Sequence, residues 1–86
     1  MTPRQISNQD RPLPCHLSEW RKTATTFLEW VDEPFQVTTM EGSSYVIDET
    51  AEHWEGGYWV SWPTDGTDPY PVAPRFVREN YEQVSP

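Results

Sequence analysis

No lysine or arginine stands between Lys22 and Arg75. The whole chain of 86 residues has only six such residues against 14 carboxylates, a formal net charge of −8. Binding to a nucleic-acid backbone needs cationic groups that displace counterions, so direct DNA or RNA binding is excluded as an expectation. Anionic membrane surfaces are disfavoured for the same reason. Cysteine is nearly missing too: Cys15 stands alone, so no intrachain disulfide exists and the chain is not a disulfide-stapled secreted miniprotein. No apolar run approaches the length that spans a bilayer. The N-terminus is polar and broken by Pro3, Pro12 and Pro14, unlike a signal peptide. The expected compartment is the cytoplasm.

Catalytic and cofactor signatures are also lacking. Cys15 and His16 are sequence neighbours, which does not aim one side chain at the other, and no Gly-x-Ser-x-Gly occurs. Gly56-Gly57 lacks the spaced glycines and following Lys-Ser/Thr of a phosphate loop. Glu49 and His53 would share a helix face, but a metal site needs three or four converging ligands and nothing else pairs with them. Paired carboxylates such as Asp48/Glu49 and Glu52/Glu55 would need a deep cleft to act on sugars, and so short a chain hardly forms one. The expectation is a non-enzyme with no cofactor and no metal.

What is present is aromatic and acidic. The cation-free stretch holds ten carboxylates (Glu29, Asp32, Glu33, Glu41, Asp48, Glu49, Glu52, Glu55, Asp65 and Asp68) and four of the five tryptophans, Trp30, Trp54, Trp59 and Trp62. Each aromatic ring can bury roughly 150–250 Å², which helps a chain this short assemble a core. A field of one sign attracts the opposite sign and speeds encounter with a basic protein surface. The plainer reading of the same charge is solubility.

The expected fold is α+β: a small antiparallel sheet of three to four strands with one C-terminal helix and an extended N-terminal arm. Residues 1–18 read as that arm and residues 19–86 as a single compact domain. Residues 22–31, rich in threonine and aromatics, favour a strand with partly apolar side chains on both faces. Asp32-Glu33-Pro34 makes a turn, and Phe35, Val37 and Thr39 alternate along the next strand, so 23–31 and 35–40 read as an antiparallel pair. Asp48 is placed to cap a brief helix through Trp54 that Gly56-Gly57 would end. Tyr58 to Trp62 is the clearest strand, with Tyr58, Val60 and Trp62 on one face and Trp59 on the other. A turn centred on Asp65-Gly66 follows. Pro69, Pro71 and Pro74 confine the next segment to an extended or edge position, and Pro74 fits the first turn of a helix over 75–84.

Three segments carry a resemblance: Val37-Thr-Thr-Met-Glu-Gly42, Gly57-Tyr-Trp-Val60, and Tyr70-Pro-Val-Ala-Pro-Arg-Phe76 running on to Tyr81. They resemble a group of small tailed-phage and prophage proteins with a Val-x-Thr-x-Glu-Gly strand end, a Gly-Asp-aromatic strand and a closing Tyr-Pro-Val-x-Pro segment. The likeness covers about residues 21–84. Tyr58 stands where that group has Asp, Thr67-Asp68-Pro69 replaces its Gly-Glu, and residues 45–55 read as an insertion. The resemblance implies a compact α+β domain of phage origin and no chemistry.

Together these readings give a non-catalytic phage or mobile-element protein that binds a basic protein surface. The candidate protein-binding residues are Asp48, Glu49, Glu52, Trp54, Glu55, Trp59, Asp65 and Asp68. In its most concrete form this is an inhibitor of a host nucleic-acid-handling defence complex, of the anti-CRISPR kind. The alternatives are a capsid or tail component, located in the virion, and a small-ligand-binding module with an aromatic pocket. Trp30 and Tyr58 are expected in the core, whereas Trp59 or Trp62 would be pushed outward if only one sheet face is covered.

Overall fold

The segment whose side chains are half apolar on both faces becomes the centre of a sheet. The structure, a computed structural model, describes residues 3–22, 24–64 and 67–84. Its elements are β1 (Arg4–Ile6), β2 (Ser18–Arg21), β3 (Thr25–Val31), β4 (Phe35–Thr38), β5 (Ser44–Ile47), β6 (Tyr58–Pro63), β7 (Tyr70–Val72), α1 (Pro74–Asn80) and β8 (Glu82–Gln83). Strand β3 lies in the middle of a five-stranded antiparallel sheet of order β7-β6-β3-β2-β8. A second sheet has three strands in the order β1-β4-β5, with β1 parallel to β4 and β5 antiparallel.

The class is α+β, with small sheets and a C-terminal helix. The elements form three layers. Ile6, Phe35 and Val37 of the small sheet meet Val31, Val60 and Trp62 of the large one. On the opposite face of the large sheet, Val77 of α1 closes over Leu28 and Val72, with Trp20, Trp59 and Tyr81 at the margin. Each face of β3 and β6 therefore has a cover, as their two-sided apolar pattern demands. A buried hydroxyl pair, Thr26 Oγ1 and Ser61 Oγ at 3.0 Å, satisfies the polar side chains on the helix face.

Three expectations are corrected. Strands β3 and β4 are not hairpin partners. The chain turns a corner at Asp32-Glu33-Pro34 and carries β4 into the other sheet. The apolar faces explain this: paired side by side, β3 and β4 would leave Val60 and Trp62 uncovered, whereas facing each other they bury Val31, Phe35 and Val37 to 2 % exposure or less. The helix expected over 48–54 is replaced by two consecutive turns, closed by Ala51 N–H to Asp48 O and Trp54 N–H to Ala51 O. Asp48 accepts the Thr50 amide at 2.9 Å, an Asx turn that competes with helix nucleation over so short a run. Residues 3–17 are docked and not an extended arm throughout: single 3-10 turns lie at Asn8–Asp10 and Pro14–His16, Ile6 is 1 % exposed in the inter-sheet core, and Leu17 packs against that core. Pro34 O accepts the Arg4 amide, which seats β1 beside β4.

Other expectations hold. Strand β7 is a sheet edge containing Pro71, and Pro74 is the first residue of α1. The helix is shorter than the pattern 75–84, because the chain leaves it at Tyr81 to pair β8 with β2. The Asp65-Gly66 turn lies outside the described residues.

Candidate protein-binding site

The strand registers decide which loops meet. Val31, the last residue of β3, pairs with Tyr58, the first of β6; Phe35, the first of β4, pairs with Ile47, the last of β5. The turn 32–34 and the loop 48–57 therefore leave the sheets at one end of the molecule. That end gathers Asp32, Glu33, Asp48, Glu49, Glu52 and Glu55, of which all but half-buried Asp48 are exposed.

Local hydrogen bonds shape this loop. The hydroxyl and amide of Thr50 hold the Asp48 carboxyl below its ordinary value. Glu55 forms a two-pronged ion pair with Arg78, whose Nη2 lies 2.8 Å from Oε2, and this contact lowers the Glu55 pKa and raises that of Arg78. The pair ties the loop to α1. Both contacts favour the ionised carboxylate, and that of Glu55 is already engaged by Arg78.

An aromatic row borders the same end. Trp59 sits between Trp20 and Trp30, with edge-to-face ring centroids at 5.7 and 5.0 Å. Trp30 is 41 % exposed, so its expected core placement is corrected. Its indole lies directly over Gly57: a Cβ there would come within 2.5 Å of the ring, so glycine permits the approach. Trp62 points the other way and is buried, donating its indole N–H to Glu29 Oε1 at 3.2 Å. Because both faces of the sheet are covered, neither Trp59 nor Trp62 is forced into solvent.

The candidate residues therefore separate. Asp48, Glu49, Glu52, Glu55 and half-buried Trp54 share the 48–57 loop. Trp59 lies beneath Trp30 as a half-buried support. Asp68 is elsewhere in the fold, accepting the Met40 amide at 3.0 Å and joining the chain before β7 to the β4–β5 turn. Asp65 lies outside the described residues. Sequence reasoning missed Asp32, Glu33 and Trp30 as site residues. The signal was there, since the acidic turn Asp32-Glu33 closely follows Trp30 near the end of a strand, but its position beside 48–57 depends on non-local pairing.

Among the described residues, no three His, Cys, Asp or Glu side chains converge to hold a metal ion. Cys15 is exposed and unpaired with another cysteine. No helix among the described residues is long and apolar enough to cross a membrane. Comparison with protein-family models, curated proteins and solved structures found no match.

Proposed function

We propose that this chain is a non-catalytic binding domain whose acidic end engages a basic surface on another protein. The supporting observation is the meeting of the 32–34 turn and the 48–57 loop beside a partly exposed tryptophan. Asp32, Glu33, Asp48, Glu49 and Glu52 supply negative charge, while Trp30 and Trp54 supply apolar area. An aromatic anchor with a charged surround is the composition in which binding energy concentrates at interfaces. Glu55 serves the site indirectly, by fixing the loop to α1 through Arg78.

In its most concrete form the protein is phage-encoded and acts in the host cytoplasm. Its carboxylates occupy lysines and arginines that a host nucleic-acid-handling defence complex uses to grip phosphate. The alternative of a capsid or tail component threaded by its N-terminal arm has less support, because residues 4–6 of that arm are committed to this chain's own sheet.

The test is capture of partners from host lysate on the immobilised protein, followed by titration against salt. A basic, nucleic-acid-binding host protein is expected. Its affinity should fall at least about tenfold between low and high salt, since exposed charges are screened within about 10 Å. Glu49→Lys with Glu52→Lys should abolish capture. Recovery of phage structural proteins alone, or binding indifferent to both salt and charge reversal, overturns the proposal.

A further inference from the structure

We infer that the free edge of β5 accepts an extended strand from the partner, a segment with uncharged β-forming residues in its middle and lysine or arginine at its ends. This rests on the proposed acidic binding role and adds a mode of recognition to it.

Strand β5 ends the three-stranded sheet, so one of its edges is unpaired among the described residues. Its hydrogen-bonding phase follows from the register. The Thr39 amide donates to Ser43 O, and the pairs continue as Thr38 with Ser44, Val37 with Tyr45, Gln36 with Val46 and Phe35 with Ile47. Antiparallel pairs alternate between bonded and non-bonded. Tyr45 and Ile47 therefore turn their amides and carbonyls towards β4, and Ser44 and Val46 turn theirs to the open edge.

Sheet edges are normally guarded by shortness, charge or proline. The other three sheet edges are shorter and are guarded in those ways. Strand β1 carries Arg4, β7 contains Pro71, and β8 has two residues including Glu82. Strand β5 is Ser-Tyr-Val-Ile, uncharged and free of proline, with Tyr45 47 % and Val46 57 % exposed.

Charge selects the occupant. Glu41 precedes β5, Asp48 and Glu49 follow it, and no lysine or arginine occurs anywhere from residue 23 to 74. An added strand with cations at both ends meets a carboxylate at each end of β5. A second copy does not fit: antiparallel self-pairing brings the Asp48-Glu49 end of one copy to the Glu41 turn of the other, like charge against like. The main-chain bonds supply affinity and the end charges supply selectivity, as in strand addition to an open edge.

The test uses the full chain and the synthetic peptide acetyl-Lys-Thr-Val-Thr-Val-Thr-Lys-amide, with a comparator in which glutamate replaces both lysines. Titration followed by backbone amide shifts should show saturable binding of the lysine peptide centred on residues 43–48, and at least about tenfold weaker binding of the comparator. Val46→Pro removes one edge amide and should weaken binding at least about tenfold. Should that variant unfold, N-methylation of the peptide on alternate residues tests the same bonds without altering the protein: one set should abolish binding and the other leave it intact. Equal binding of both peptides, shifts away from β5, indifference to both methylation sets, or concentration-dependent dimers that Val46→Pro abolishes each overturn the inference. With a captured partner, loss of binding on Glu49→Lys/Glu52→Lys but none on Val46→Pro refutes strand addition alone; indifference to both refutes the acidic binding role as well.

Discussion

Replacing Ile6 with alanine removes three carbons from a side chain that is 1 % exposed and packed between the sheets with Phe35, Val37 and Trp62. Transfer alone accounts for about 0.8 kcal/mol per carbon, or about 2.4 kcal/mol. The cavity left between two β layers adds to this, so about 3 kcal/mol is expected, within the range of about 2–5 for such truncations. A chain this size has a total stability of roughly 4–13 kcal/mol. Ile6→Ala should therefore lower the midpoint of thermal unfolding by about 12–24 °C, at about 4–8 °C per kcal/mol. Urea titration followed by tryptophan emission is a direct assay, because Trp62 belongs to the same cluster. Leu13→Ala is the control: Leu13 is 67 % exposed, and its loss should change stability by under about 0.5 kcal/mol. A cost below about 0.5 kcal/mol at Ile6 would refute the claim that β1 is part of the core, and would restore the picture of a free arm.

Three further outcomes are expected. Glu29 accepts from Trp62 Nε1 and from Arg4 Nη2, the latter at 3.0 Å, and a double-mutant cycle of Arg4→Ala with Glu29→Gln should give a coupling of about 0.5–1 kcal/mol, since Arg4 is partly exposed; a coupling near zero refutes a stabilising role. Gly57→Ala should lift the Trp30 ring, shifting its emission to the red at a cost of about 1–2 kcal/mol, and an unchanged difference spectrum against Trp30→Phe counts against the close approach. Glu55 and Asp48 have lowered pKa values in the folded chain, so the stability they contribute is full above their ordinary values of 4.5 and 3.8 and is lost as pH falls through the lower folded values. Protection factors of the amides in 48–57, taken relative to the unstructured rate at each pH, should fall in that acid range, less so in Arg78→Met, where the tether is already absent; identical profiles for the two proteins refute the linkage.

Much of the local structure was legible in residue types. Alternation identified β6 and its two faces, and Pro71 and Pro74 marked an edge strand and a helix start. Both signals are intrinsic to the backbone, because proline cannot donate to a ladder and its φ suits a first helical turn. The turns at 48–54 were misread because Asp48 can serve either as a helix cap or as an Asx turn, and the balance between them is small. The placement of Trp30 was misread because alternation gives the face a side chain points to, not whether that end of the face is covered.

The sequence by itself determined the charge, its confinement and the alternating apolar faces, since these depend only on composition and on the period of a strand. On the binding role proposed above, the absence of cations across residues 23–74 is what would favour a basic partner surface. Only the tertiary structure decided which carboxylates stand together. The corner at Pro34 separates β3 from β4, and the β3–β6 and β4–β5 registers, one within each sheet, then bring 32–34 beside 48–57. It also left β5 as an open edge among the described residues, and it docked β1 on β4 so that Ile6 enters the core. These outcomes depend on which apolar faces cover one another across the whole chain, and a period-two pattern names the faces without naming their partners.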